Sequence, residues 1–332
     1  MQFIERPDEA WSHVLSCGYY QLRESSLHRL YPYKNALPGR RGLQLPLRPP
    51  QVRCRKRLGK EQKHLSKFEG VADTLYIPLT ARIYVSEHFP EYFRDDKAVS
   101  LKSEMPYEEI ASKSSEYFQM AGACRFYNTD QMVKAFIDRH EKCNIINVGC
   151  GLETSYFRIK PDPQKAVFYE MDLPEVIEAR RKVLGESENE ILIPGDMFDF
   201  SWAETVNKNL PTLVTVIGVF QYFGEEKDIG FLKQLKKSFP DVEVIFDAMT
   251  GKAIKYANDY IKKTGNNDAE LHFSADSGQS VAEKCGMELL EERPFFGAAR
   301  KQLKRKLKLY TRIAMKVVDE GGRRGFLTHL RG

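Results

Sequence analysis

Gly149 and Gly151 flank a cysteine directly after a short apolar run, Ile145, Ile146 and Val148, and a second apolar run, Ala166 to Tyr169, closes on two acids, Glu170 and Asp172. Residues of these types in this order could hold a nucleotide. Glycine lets the backbone approach a ligand that a Cβ would keep at a distance. Free N–H groups at the start of the following helix favour an anionic or polar group. A carboxylate at the end of the second strand can accept from both hydroxyls of a ribose. Three occupancies fit: S-adenosylmethionine (SAM), a nicotinamide or flavin dinucleotide, or no nucleotide at all. The dinucleotide fingerprint wants glycine or alanine at its third position, where this chain has Thr154, so it is disfavoured. A class I SAM site tolerates the threonine and needs the same ribose acid.

Strands and helices must alternate to place these groups. The pattern predicts strands at 145–149, 166–171, 191–193, 212–217 and 242–246, and their ends carry Gly149, Asp172, Pro194-Gly-Asp-Met197, Gly218 and Asp247. Polar or glycine-rich strand ends along one edge are the layout of an α/β ligand crevice. Helices are expected at Glu175–Leu184, where Pro174 suits a first turn, at about 201–208, and at 225–238 with Phe231, Leu232 and Leu235 on one face. Further helices are expected at Gly251–Thr264 and at Ser277–Cys285, the latter capped by Ser277 and stopped by Gly286. Met287–Phe295 and Arg312–Asp319 read as closing strands around a basic helix, Ala298–Leu309. Ahead of the first strand, Asp73–Val85 reads as a helix with Pro78 near its start or at a kink, and Tyr107–His140 as two helices with a break near Gly122.

Composition narrows the function. A chain of 332 residues, 42% hydrophobic, can bury one large core with room for an appendage. Its six cysteines show no C-x-x-C and no zinc spacing, so no metal site is expected, and they suit reduced thiols in the cytoplasm. The longest apolar run, Leu213 to Phe220, is too short for a bilayer, and no signal peptide is visible at Met1. The net charge of +5 is concentrated in residues 1–66, which hold 13 Lys or Arg against 5 acids and six of the 16 prolines. That stretch reads as a disordered or loosely attached extension, or as residues ahead of the native start, with some helix over Asp8–Tyr19; a basic arm is the other reading. The remaining body is mildly acidic, which argues against a nucleic-acid partner.

Val148-Gly-Cys-Gly-Leu-Glu-Thr-Ser-Tyr-Phe-Arg158, followed by Tyr169-Glu-Met-Asp-Leu-Pro-Glu-Val-Ile177, resembles the leucine carboxyl methyltransferase family, and within it the bacterial polyketide-type O-methyltransferases. The resemblance runs from about Val71 to the C-terminus. It implies the class I SAM-methyltransferase fold, an α/β, doubly wound, mostly parallel seven-stranded sheet over 141–332, with a helical cap over 71–140. It also implies SAM as cofactor. Arg125, within Ala121–Thr129, would meet the SAM carboxylate, a partner that a guanidinium grips through parallel hydrogen bonds. Asp196 and Met197 would hold the adenine, and Gly149, Gly151, Asp172 and Gly218 the rest of the nucleotide. Methyl transfer is an in-line displacement at a carbon activated by a sulfonium; it rests on orientation and exclusion of water, and requires no metal. A carboxylate acceptor needs no base, whereas a hydroxyl acceptor is helped by one. Tyr222 and His272 are the candidates. The chain departs from the family's G-x-G-L-D-T-R at Glu153 and Ser155, and carries Ile217 where many members have an acid. The expected acceptor is a small molecule bearing a carboxyl or hydroxyl group, met in the cytoplasm with no membrane partner. A protein C-terminal carboxyl, or a non-catalytic SAM-fold binding protein, are the other readings.

Overall fold

The structure, a computed structural model, describes residues 73–255, 258, 271–321 and 324–332. The expectations for residues 1–66, for Asp8–Tyr19 and for most of the helix expected at Gly251–Thr264 lie outside the described residues; residues 251–255 are helical. Among the described residues, four α-helices precede the sheet: α1 (Asp73–His88), α2 (Asp96–Ser100), α3 (Tyr107–Ser112) and α4 (Glu116–Arg139). The order then runs β1 (Cys143–Val148), α5 (Ser155–Ile159), β2 (Ala166–Asp172), α6 (Pro174–Leu184), β3 (Glu190–Pro194), β4 (Thr212–Val216), α7 (Glu225–Ser238) and β5 (Glu243–Met249). The chain closes with α8 (Gly278–Cys285), β6 (Glu288–Pro294), α9 (Gly297–Gln302), α10 (Leu309–Glu320) and β7 (Gly325–Arg331).

The seven strands form one sheet in the order β3-β2-β1-β4-β5-β7-β6. β1 to β5 pair in parallel, and β7 runs antiparallel between β5 and β6. The order reverses between β1 and β4, and a crevice opens at their carboxyl ends. Period-two alternation divides the sheet between two cores. Ile145, Phe168, Leu213, Ile245 and Leu327 face α4, α9 and α10. Ile146, Met171, Val214, Val244 and Phe246 face α7 and α8.

Local chemistry sets several element ends as expected. Ser277 Oγ accepts from the Ser280 N–H at 3.2 Å, and Gly286 adopts a left-handed φ of 68° at the end of α8. Pro174 starts α6, and α7 spans the residues foreseen.

Other expectations are corrected. The break in Tyr107–His140 falls at residues 113–115, where Ser115 caps α4. Gly122 lies inside α4, where an added Cβ would stand 2.7 Å from the Ala81 Cβ of α1, so it serves a close helix crossing and ends nothing. Pro78 sits inside α1. The helix expected at 201–208 is a 3-10 segment, Phe200–Thr205. The basic helix expected at Ala298–Leu309 ends at Gln302. Arg312–Asp319 is helix α10, not a strand: Thr311, Ala314, Met315 and Val318 are its buried residues, at helical spacing. The strand itself follows at Gly325–Arg331.

Asp228, near the start of α7, is fully buried, and neither carboxylate oxygen has a hydrogen-bond partner among the described residues. Burial pushes its pKa up to about 8, with Lys227 opposing. A folded-state pKa above the unfolded one means stability that is full below the ordinary value of 3.8 and is lost as pH rises toward 8. Asp228→Asn is therefore expected to stabilise the protein by about 1–3 kcal/mol at pH 8 and to flatten the dependence between these limits. Thermal melts of both proteins across that range check this, and parallel profiles would refute it.

Candidate active site

The turn after β1 is built on two left-handed glycines, with φ of 65° at Gly149 and 48° at Gly151. An added Cβ at 149 would come within 2.4 Å of Val219 Cγ2, and one at 151 within 3.0 Å of Leu75 Cδ2. The N–H groups of Gly149 and Cys150 donate to the Met171 carbonyl at 2.8 and 3.1 Å, which ties the turn to the end of β2. Asp172 follows at once. Its Oδ2 accepts from the Gly151 N–H at 2.8 Å and its Oδ1 from the Leu173 N–H at 2.7 Å. Burial raises its pKa, and these two donors work the other way.

A second carboxylate organises the ends of β4 and β5. Asp247 accepts from the Gly218 N–H at 2.6 Å, from Arg125 Nη1 at 2.7 Å and from Gln221 Nε2 at 2.9 Å. Arg125 reaches it from α4, 122 residues away in sequence. Gly218 is left-handed as well, at φ 75°. Burial pushes the Tyr222 hydroxyl up to about 12, so it is neutral near pH 7. The His272 side chain is exposed, and its backbone N–H donates to the Gln221 carbonyl at 3.0 Å. After β3, Asp196 Oδ1 accepts from the Phe198 N–H at 3.0 Å, and the Met197 carbonyl from Trp202 Nε1 at 3.1 Å.

These groups surround one cavity of about 550 Å³. All nine residues named from the sequence line it: Arg125, Gly149, Gly151, Asp172, Asp196, Met197, Gly218, Tyr222 and His272. Beyond the glycine turn its wall turns aromatic and apolar, with Tyr117, Phe118, Phe126, Met249, Phe295 and Phe296. Among the described residues, no group of His, Cys, Asp or Glu is arranged to hold a metal ion.

Sequence reasoning missed a buried ionic cluster behind the turn. Arg158, on α5, pairs with Asp130 through Nε and Nη2, both at 2.8 Å, and its Nη1 lies 2.6 Å from Glu153 and 3.1 Å from Asp95. Arg82, from α1, lies 3.1 Å from Asp95 and donates to the Leu152 carbonyl at 2.6 Å. Thr154 Oγ donates to Asp95. Burial opposes the Arg158 charge, but Asp130, Glu153 and Asp95 more than offset it and hold its pKa well above the ordinary value. In Arg82 burial wins, and its pKa is lowered. The sequence signal was a lone arginine inside an apolar helical run, Ile77 to Val85. The departures at Glu153 and Ser155 also gain a physical account. Glu153 joins this cluster, Ser155 Oγ accepts from Asn147 at 3.1 Å, and Arg158 brings its guanidinium from a turn further on.

Charge selects among nucleotides. Arg82, Arg125 and Arg158 line the cavity against Asp130, Glu153, Asp172, Asp196 and Asp247. An excess of carboxylates suits a cationic sulfonium and ammonium and opposes a pyrophosphate. The glycine turn and the Asp172 carboxylate beside it suit the same ligand.

The fold and the site define a SAM-dependent methyltransferase of class I, with S-adenosyl-L-methionine as methyl donor. The model of the leucine carboxyl methyltransferase family matches residues 76–236, from α1 into α7. The tetracenomycin polyketide synthesis O-methyltransferase TcmP of Streptomyces glaucescens is 24% identical over 191 residues, covering 58% of this chain and 70% of that protein. The S-adenosyl-L-methionine-dependent methyltransferase dpfgK of Gibberella zeae is 24% identical over 197 residues, 54% of this chain and 66% of that one. Leucine carboxyl methyltransferase 1 of Rattus norvegicus is 24% identical over 150 residues, 35% of this chain and 45% of its own length. A crystal structure from Thermobifida fusca, described as a methyltransferase candidate, superposes with a TM-score of 0.51 at 13% identity, covering 76% of this chain and 93% of that one.

Proposed function

We propose that the chain transfers a methyl group to a carboxyl or hydroxyl oxygen of a small-molecule acceptor. The observation that carries this reading is the join within one cavity between a carboxylate-rich glycine cradle and an aromatic chamber. The one reported relative that is an O-methyltransferase by name, TcmP, supports it. SAM supplies a methyl carbon already activated by its sulfonium. In this reading the helices ahead of β1 act as a cap, because α1 and α4 contribute Pro78, Tyr117, Phe118 and Arg125 to the cavity.

Each residue has a distinct task. Asp172 keeps a free lone pair on each oxygen after accepting from Gly151 and Leu173, and these accept from the ribose hydroxyls. Asp196 accepts from the adenine amine while Met197 packs the ring. Arg125 gives one N–H to Asp247 and has others for the SAM carboxylate. Gly218 lets the chain pass close to the methionine portion. Tyr222, neutral near pH 7, donates a hydrogen bond and does not take a proton. His272 takes the proton from a hydroxyl acceptor and is idle with a carboxylate acceptor.

Calorimetric titration with SAM, S-adenosylhomocysteine and NAD tests the cofactor reading. Micromolar dissociation constants, about −8 kcal/mol, are expected for the first two and no heat for NAD. A folded protein that ignores SAM, or prefers NAD, would overturn it. A labelled-methyl assay with His272→Gln then separates the acceptors: a hydroxyl acceptor loses rate by about 10²-fold or more, and a carboxylate acceptor loses none.

A further inference from the structure

The pair of helices that walls the cavity also has an outer face. Inward, Phe296 ahead of α9 and Val318 of α10 reach the cavity lining. Outward, α9 and α10 enclose a separate groove of about 690 Å³. Leu309 and Ile313 lie within it, and Val317 continues their stripe one turn further along α10. These three are 66%, 48% and 46% exposed, and among the described residues the one other large hydrophobic side chain so exposed is Ile191. Single exposed apolar residues are ordinary, but a stripe at i, i+4 and i+8 on one helix is a patch.

The groove is also cationic. Arg300, Lys301, Lys304, Arg312 and Lys316 line it, with Glu320 as its one acid. Residues 297–320 hold eight Lys or Arg against two acids, whereas the folded body as a whole is mildly acidic. Both acids are engaged locally: Asp319 with Arg300, and Glu320 with Arg300 and Lys316. Among the described residues, no carboxylate pairs with Lys301, Lys304 or Arg312. Unpaired cations beside an exposed apolar stripe are complementary to an acidic surface that carries its own apolar ridge.

We propose that the groove between α9 and α10 is a docking site for a partner protein presenting an acidic amphipathic helix. The shape favours this occupant. A groove between two helices, with cationic side chains beside its apolar stripe, receives the ridge of a third helix, whereas a nearly flat bilayer surface does not enter a groove. A nucleic acid would leave Leu309, Ile313 and Val317 without a complement. The 12 residues of α10 extend about 18 Å, enough for three turns of a docked helix. A partner seated here stands on the outer side of the same elements whose inward residues, Phe296 and Val318, line the cavity.

The probe is a fluorescein-labelled synthetic helical peptide of about four turns, with leucine at every fourth position flanked by glutamates. Binding to the full chain is read by anisotropy. Micromolar binding is expected, weakening with added salt, at least tenfold tighter than for a scrambled peptide of the same composition. Lys304→Glu with Arg312→Glu, and separately Ile313→Ser, are each expected to weaken it about tenfold while the calorimetric response to SAM stays unchanged; Lys304→Glu alone serves if the double variant folds poorly. Equal binding of the scrambled peptide would overturn the proposal by reducing the site to general electrostatics. Capture by vesicles of phosphatidylserine and phosphatidylcholine without peptide binding would overturn it in favour of a membrane surface. A single-stranded oligonucleotide that binds this face more tightly than the peptide would overturn it as well.

Discussion

Replacing Arg158 with methionine is expected to cost about 3–5 kcal/mol of stability, the range for removing one partner from a buried ionic network. Asp130 would lose both of its 2.8 Å hydrogen bonds, and Asp95 and Glu153 would be left to Arg82. The arginine is 4% exposed and Asp95 is fully buried, so water cannot replace the lost partner. The pH dependence should change in a defined direction. Burial works against the Asp95 and Glu153 charges, but Arg158 and Arg82 outweigh it and hold both carboxyls below their ordinary values of 3.8 and 4.5. Their stability contribution is thus present above those values in the wild type and is lost as pH falls. In Arg158→Met most of that contribution disappears, so the variant should lose less on acidification. Asp130 acts in the opposite sense, because burial leaves its pKa raised even beside Arg158. Urea titrations at neutral and acidic pH measure both effects; a loss below about 1 kcal/mol at neutral pH would mean that the cluster is worth no more than a surface pair.

Asp172→Ala is expected to weaken SAM binding by about 1–3 kcal/mol, roughly tenfold to a hundredfold in dissociation constant. The ribose would lose its charged acceptor, and the Gly151 and Leu173 N–H groups would lose theirs. Asp172→Asn separates the two effects. It keeps the shape and one acceptor oxygen, so it should preserve more of the turn while still losing the charge. Calorimetry reads both variants, and an unchanged affinity in Asp172→Ala would remove the residue from the site.

Much of the nucleotide cradle could be read from the chain because its parts are local. Gly149 and Gly151 stand where φ is positive, and Asp172 is the last residue of the strand that pairs with β1. Arg125, Asp196, Met197 and Gly218 were named through resemblance, and the fold brings them to the same cavity. The C-terminal third was harder. Arg312–Asp319 has β-branched residues that suit a strand, yet its burial follows helical spacing, and the last strand had to be found by its pairing with β5 and β6. Gly122 read as a helix stop because the Ala81 it must clear lies on another helix.

What this sequence determined by itself is the set of features that depend on near neighbours. These are the glycine turn, the alternation of strands and helices, the capping of α8 and the carboxylate at the end of β2, all fixed by backbone conformation and by periodicity of two or 3.6 residues. Only the tertiary structure decided which distant charges would meet. Asp95 and Arg158 are 63 residues apart, and Arg125 and Asp247 are 122 apart. No local pattern marks such partners. They are selected because a charge carried into the core by its own element is stable only where another element delivers the opposite charge and its hydrogen bonds.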